Sequence, residues 1–294
     1  MSLIAILGSV ELGLVYAFVA LGVYFSFRVL DFPDLTVDGS FPLGAATSAV
    51  LILAGVNPWL ATLAAMAAAA AAGLVTAFLN IRFKILNLLA SILTMIALFS
   101  INLRVMGRPN VALINAETVL TPFRGLFGLR DYWVRPMMLA VLVAIAVVLI
   151  ARFLASDFGL AMRATGANAR MARAQGVSTD AHIYVGMALS NALVGLAGAL
   201  FAQINGFADV TVGVGTIVVG LAAVIVGETL IPTRTLWLAL TACVLGSVVY
   251  RICIQLALSA DSIGLQASDL NLVTAVLVAV ALVLPRLKKS GRTA

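Results

Sequence analysis

Apolar stretches of about 20 residues, the length a helix needs to cross the hydrocarbon core of a bilayer, follow one another along almost the whole chain. They lie near 6–27, 40–55, 59–79, 85–103, 136–154, 182–205, 212–230, 235–256 and 270–285, about nine spans by that length rule. Composition agrees: 63% of the residues are hydrophobic and 10% charged, where a soluble domain carries about a quarter charged. Lipid offers no partner to a backbone N–H or C=O, so each span must satisfy its own polar groups as a helix. The expected fold is all-α, a polytopic transmembrane helical bundle forming a single domain over 1–294.

The formal net charge is +6. The basic residues are scattered between apolar spans and form no stripe, so they read as topology signals and not as a nucleic-acid footprint. With Arg286, Lys288, Lys289 and Arg292 cytoplasmic, counting back places Arg234, then Arg152, Arg163, Arg170 and Arg173, then Arg82 and Lys84, then Arg28 on the same side. The outside then holds one basic loop, 104–135, with Arg104, Arg108, Arg124, Arg130 and Arg135. Its Pro109, Pro122, Gly125 and Gly128 predict an ordered external excursion with a short surface helix. An odd span count leaves the N-terminus outside. Met1–Val10 carries no Lys or Arg, so the first stretch is expected to be an uncleaved span. Cys243 and Cys253 share one apolar segment and read as buried free thiols.

Small residues predict where backbones meet. The run Ala67–Ala72 with Gly73, then Gly195 and Ala199, then Gly213, Gly220 and Gly227, offer slim faces. Close van der Waals packing of such faces drives helix association in lipid. No repeat relates the two halves, which weighs against a carrier built from inverted repeats.

One stretch interrupts the grease. Residues 156–176 read SDFGLAMRATGANARMARAQG, within a cytoplasmic connection over 156–181. Ser156 is suited to cap a short helix, and Gly166 is expected to break it. Asn168 reads as a second N-cap and Gly176 as a left-handed stop. Between them Ala169, Ala172 and Ala174 leave a slim side, while Arg170 and Arg173 share another. A slim, capped, basic helix across the membrane face is built for a groove in a partner, although an ordinary positive-inside loop would share its composition.

The wording of that loop, Phe158-Gly-Leu-Ala-Met-Arg163-Ala-Thr-Gly166-x-Asn168 followed by Ala172-x-x-x-Gly176-Val177, resembles the coupling loop of ABC importer permeases. The family is the one serving branched-chain amino acid and ribose systems. Phe32-Pro-Asp-Leu-Thr-Val-Asp-Gly-Ser40 resembles the broken start of the second span in these permeases. Gly206-Phe-Ala-Asp-Val210 and Gly215-Thr-Ile-Val-Val-Gly-Leu-Ala-Ala-Val-Ile-Val-Gly-Glu228 are similar to a subgroup of tryptophan or tyrosine transport permeases. The resemblance covers nearly the whole chain. It implies that the loop docks onto an ATP-binding subunit, with Arg163, Gly166, Asn168, Ala172 and Gly176 at the matching positions and Ala169, Arg170 and Arg173 beside them.

Other polar residues are candidates for a translocation path or gate: Asp34, Asp38, Asn191, Gln203 and Asp209. Asp31, Asp34 and Asp38 sit with two prolines and Gly39. A charge at mid-membrane costs about 2.5–3.5 kcal/mol on the insertion scale, so these acids belong either at the cytoplasmic boundary, as caps and turns, or along a polar path beside unwound helix. Asn191, Gln203 and Asn205 either bond between helices or touch cargo. Arg251 either snorkels to headgroups or turns inward to an acid such as Asp209 or Glu11. Glu228 is expected to pair with Arg234, and His182 to act as a polar cap.

No Gly-x-x-x-x-Gly-Lys-Ser/Thr loop occurs, and the three lysines are 84, 288 and 289. The chain therefore lacks that route to ATP hydrolysis, and it carries no motif of a catalytic or metal centre. No cofactor is expected on it, ATP and Mg belonging to the partner. The reading is a permease subunit of an ATP-driven importer in a bacterial inner membrane, moving a small solute such as an aromatic amino acid. The resemblance implies a permease homodimer, two ATP-binding subunits and a periplasmic or lipid-anchored solute-binding protein. An importer of a sugar or nucleoside, or an ion-coupled secondary transporter, are the alternatives.

Overall fold

A computed structural model describes residues 3–114, 116–123 and 131–258, with the isolated positions 276 and 279. Arg124, Gly125, Gly128, Arg130, the span expected at 270–285 and the basic C-terminal residues lie outside the described residues. The remaining expected spans each correspond to a helix. These are α1 (Leu3–Val23), α2 (Val37–Leu53), α3 (Pro58–Phe83), α4 (Asn87–Met106), α5 (Asp131–Ala155), α8 (Thr179–Asn205), α9 (Thr216–Leu230) and α10 (Leu236–Leu258). Two short helices, α6 (Asp157–Ala167) and α7 (Ala169–Ala174), fill the polar connection. Among the described residues, seven helical segments are long and apolar enough to cross a membrane, and α2 is shorter. Several helices overrun their apolar stretch because capped polar ends continue the hydrogen-bond ladder: Asn57 caps α3 by accepting from Trp59 N, and Pro58 follows at its first position.

α1 and α8 are the most buried spans and form the axis of the bundle. α8 packs on α1, α2 and α3, while α1 packs on α5, α9 and α10, and α4 lies outside against α2 and α3. The seams run where the small residues are. Gly44 of α2 faces Gly195 of α8, Gly198 faces the carbonyl of Phe41, and Gly73 of α3 faces the carbonyl of Met187. Gly227 and Gly246 do the same between α9 and α10. At each, a Cβ would overlap backbone, so the sequence permits an approach that any other residue forbids.

The end of α1 is unwound in two stages. Tyr24–Val29 continues it as a π-helix, and Asp31 then takes a left-handed φ of 53°. The chain climbs back through Pro33 before α2 begins. Within α2, Pro42 withholds the amide bond that its turn would make to the Asp38 carbonyl. Gly213 seats against that carbonyl and the Pro42 ring, where a Cβ would not fit.

On the opposite side, the excursion after α4 forms β1 (Asn110–Ala112), which pairs antiparallel with β2 (Phe207–Asp209) after α8. A 3-10 turn at Val210–Gly213 leads from β2 into α9, and another occupies Thr121–Phe123. Among its described residues the connection expected at 104–135 thus contributes one strand of a two-stranded ribbon and a short 3-10 turn.

Several expected partners differ. Glu228 pairs with Arg28, not Arg234, because the end of α9 lies beside the π-helical end of α1. Among the described residues Arg251 pairs with neither Asp209 nor Glu11: its guanidinium lies over the Tyr16 ring, 3.8 Å from the centroid, an attraction to the ring face that strengthens out of water. Glu11 faces Arg135 at 4.0 Å.

Candidate functional site

The loop 156–181 is built from local rules. Ser156 Oγ accepts from Gly159 N at 3.3 Å and starts α6. Gly166 does not end it. The helix runs through to Ala167, and Gly166 instead lets α6 press on the carbonyl of Val29, which a Cβ would overlap. The break falls at Asn168, whose backbone is extended (φ −160°, ψ 94°) and whose Oδ1 accepts from Met171 N at 3.0 Å. Gly176 takes a left-handed φ of 84°. Val177 N then donates to Ala172 O and Gly176 N to Arg173 O, both at 3.1 Å, the paired closure of a Schellman turn.

Side chains fix the loop to the bundle. Arg173 donates through Nε and Nη2 to Thr179 Oγ1 at 3.2 and 2.6 Å and reaches Asp180 at 3.3 Å. His182 Nδ1–H donates to Ser178 O at 2.8 Å, the carbonyl being able only to accept. Its ring stacks on Phe158 of α6 at 4.3 Å between centroids, so the lone histidine ties α6 to α8. Of the three alanines expected on a slim side, Ala172 alone turns inward; Ala169 and Ala174 are exposed. Arg163, Arg170 and Arg173 are exposed as well. Met171 is 64% and Leu160 51% exposed, so the outward surface is mixed basic and apolar.

The second set of candidates does not converge on one path. Asp34 is fully buried. It accepts from Thr36 N at 2.9 Å and from Asn191 Nδ2 at 2.8 Å, and Asn191 Oδ1 accepts from Ser40 at 2.7 Å. Asn191 is near the midpoint of the 27-residue α8, about 18 Å from its start. Asp34 therefore lies beside the middle of α8 and not at either of its ends, because the chain climbs back after Asp31. Asp38 accepts from Gly215 N at 3.1 Å and Ile217 N at 2.7 Å, capping the start of α9, where a helix carries partial positive charge. Gln203 bonds Ser48, Thr62 and Val119 N at 3.0, 2.9 and 2.9 Å. Asn205 bonds Phe201 O within its own helix at 2.9 Å.

Asp209 lies on the β1–β2 ribbon, apart from the rest, and bonds Asn110 at 3.1 Å and Thr211. Partial burial raises its carboxyl, but the hydrogen bonds from Thr211 and Asn110 outweigh this and hold it below the usual range. Among the described residues no three His, Cys, Asp or Glu side chains converge as a metal ligand set.

Asn191→Leu removes the bonds to Asp34 and Ser40 and leaves the buried Asp34 Oδ2 without its donor. The expected loss is at least about 1–3 kcal/mol, read as a lower melting temperature in detergent. A wild-type melting curve would refute a bracing role.

Asn102 and the Thr36–Thr76 contact at 2.7 Å belong to no motif in the sequence. Asn102 in particular interrupts an apolar helix and is fully buried, a signal that was present in the pattern.

Residues 5–284 match the family described as branched-chain amino acid transport system, permease component. A tyrosine transport system permease protein of Clostridioides difficile (strain R20291) is 39% identical over 90% of this chain and 86% of its own length. An uncharacterized protein of Rickettsia prowazekii (strain Madrid E) is 32% identical over 93% of this chain and 95% of its own. Among solved structures, PsaBC from Streptococcus pneumoniae in complex with Fab shares the fold, with a TM-score of 0.52 and 12% identity over 94% of this chain and 89% of that one. The chain therefore belongs to the family of branched-chain amino acid transport system permeases, and it is a transmembrane permease of the ABC transporter class.

Proposed function

We propose that this chain is the membrane half-pathway of an amino-acid importer of a bacterial inner membrane. It works as a homodimer with two ATP-binding subunits on its cytoplasmic side and a solute-binding protein outside. The N-terminus is external and the C-terminus cytoplasmic. An aromatic amino acid is the favoured cargo, on the strength of the relative named for tyrosine transport. The observation that carries the reading is the rigid, exposed platform of α6 and α7, capped at both ends of α7 and tethered through Arg173 and His182. A chain without a P-loop needs such a surface to receive work from an ATPase.

The contacts give that work a route. α6 presses through Gly166 on the end of α1. Arg28 in that end holds Glu228 at the end of α9. The start of α9 is held in turn by Asp38 of α2. A tilt of the platform when the ATPases close is therefore passed to both sides of the bundle as a rigid-body shift.

The test is uptake into proteoliposomes holding permease, ATP-binding subunit and binding protein. Tyrosine should accumulate only with ATP inside the cytoplasmic compartment and binding protein outside. Gradient-driven uptake by the permease alone would establish a secondary transporter instead. Accumulation of a sugar or nucleoside but no amino acid would keep the assembly and replace the cargo.

A further inference from the structure

Behind α5 runs a groove that the permease machinery does not use. α1 is its floor, through Phe18 and Phe25, and α5 and α8 are its walls. α1 packs on both walls, but among the described residues no packed seam joins α5 to α8 or to α3. The walls are matched stripes. From Leu142 to Phe153 on α5, and from Leu189 to Leu200 on α8, lining residues recur at i, i+4, i+7 and i+11, a spacing that keeps each set on one helix face. Each stripe is about 17 Å long, close to the depth of one leaflet, half of a hydrocarbon core about 30 Å thick. The cavity measures about 370 Å³, so its section averages about 22 Å² over that length. The floor is buried, whereas Ile145 and Leu149 on the α5 wall are exposed. The groove therefore opens sideways, where a spanning bundle meets lipid.

The lining excludes most occupants. No charged side chain belongs to it, and apart from Thr62 and the Trp59 indole it is hydrocarbon and one thioether. Thr62 Oγ1 donates to Pro58 O at 2.8 Å and accepts from Gln203 Nε2 at 2.9 Å, so its proton is spent on the bundle. Water lacks the two or more polar partners it needs there, and an amino acid or sugar would give up its hydration without return. An unfilled groove would forfeit the dispersion contacts of its walls. A helix is about 10–12 Å across, too thick for this section, so neither another span nor a second copy of the chain can enter it. One hydrocarbon chain can.

We propose that the groove holds one acyl chain of a membrane phospholipid. The headgroup stays at the Trp59 end, where an indole belongs at the membrane interface. The chain runs along α8 toward Phe25 and Phe153, whose rings close the other end at 6.2 Å between centroids. It fills the space between the axis of the bundle and α5, the helix that leads through Ser156 into α6. The site is independent of the solute carried.

The test is photolabelling of the full-length permease in nanodiscs by a phospholipid with a diazirine at mid-chain, irradiated there or after transfer to lipid-free detergent. In nanodiscs, adducts should form on Leu196 in the groove and on the outward-facing Leu63 and Val148. After transfer, the Leu196 adduct should persist while the other two disappear. Loss of all three together would overturn the site. So would a Leu196 that is never labelled, the result expected if another span or a second copy covers the groove. Ala146→Phe places a ring in the groove. Retained labelling should then fall at least about tenfold, the factor for displacing about 60 Å³ of filled space at the cost per volume of an empty cavity. Unchanged nanodisc labelling of Leu63 and Val148 reports an intact fold. If that variant does not fold, Leu193→Gln, which puts an amide in the groove without added bulk, should lower retention in its place. Full retention in either folded variant would overturn the site.

Discussion

Gly198→Val should prevent the bundle from assembling. The position lies on the α2–α8 seam, where a Cβ would overlap the Phe41 carbonyl and lie 3.1 Å from Ala45 N. Both are backbone atoms, so no rotamer change relieves the clash. The helices would have to separate, and the neighbouring contact of Gly44 with Gly195 would open with them. Overpacking a core costs about 1–3 kcal/mol where side chains can adjust, and a backbone collision belongs at or above the top of that range. The axis of the bundle also holds Asp34, Asn191 and Gln203, whose hydrogen bonds need α2, α3 and α8 in register. The expected result is loss of the monodisperse peak in detergent, with no folding transition on heating. Gly8→Ala is the control: nothing lies within 4 Å of its Cβ direction, and replacing a helical glycine there should be neutral or stabilise by up to about 1 kcal/mol. If Gly198→Val melts like the wild type, close backbone packing is not what holds this seam.

That seam also shows what a sequence reveals and what it withholds. Gly195, Gly213, Gly220 and Gly227 are legible as places of close approach because a missing side chain means the same thing wherever it occurs. Ser156, Asn168 and Gly176 are legible because a cap acts within four residues of itself. Gly166 misleads for the converse reason: by propensity it breaks a helix, but its role is set by the Val29 carbonyl, more than a hundred residues earlier in the chain. Glu228 misleads in the same way, since Arg234 is near in sequence and Arg28 is near in space. The acids at 34 and 38 could be assigned a depth only by knowing that α1 ends in a π-helix and that the chain then climbs back, and neither has a residue signature of its own. Asn102 is different. Its isolation in an apolar helix is visible, but its partner, the Gly39 carbonyl, lies 63 residues away and is met only in the fold.

Met171→Glu and Arg170→Glu should disconnect the permease from its ATPase while leaving the permease itself unharmed. Met171 is 64% exposed and Arg170 is exposed, and both project from a helix held by its own caps and by Arg173. Neither side chain supports the fold, so both variants should melt with the wild type in detergent. An interface residue at the centre of a docked surface contributes about 2 kcal/mol or more when it is a hot spot, and a buried carboxylate in its place adds a desolvation penalty. Co-purification with the ATP-binding subunit should therefore fall at least about thirtyfold, and ATP-driven uptake with it. Ala172→Glu provides the contrast. Ala172 is 5% exposed and accepts the turn-closing bond from Val177 N, so that variant should lose stability together with coupling. Intact co-purification of Met171→Glu would show that the ATPase grips some other surface. A drop in melting temperature alongside lost coupling at Met171 would assign it a structural part and leave the docking face to Arg163, Leu160 and the rest of α6.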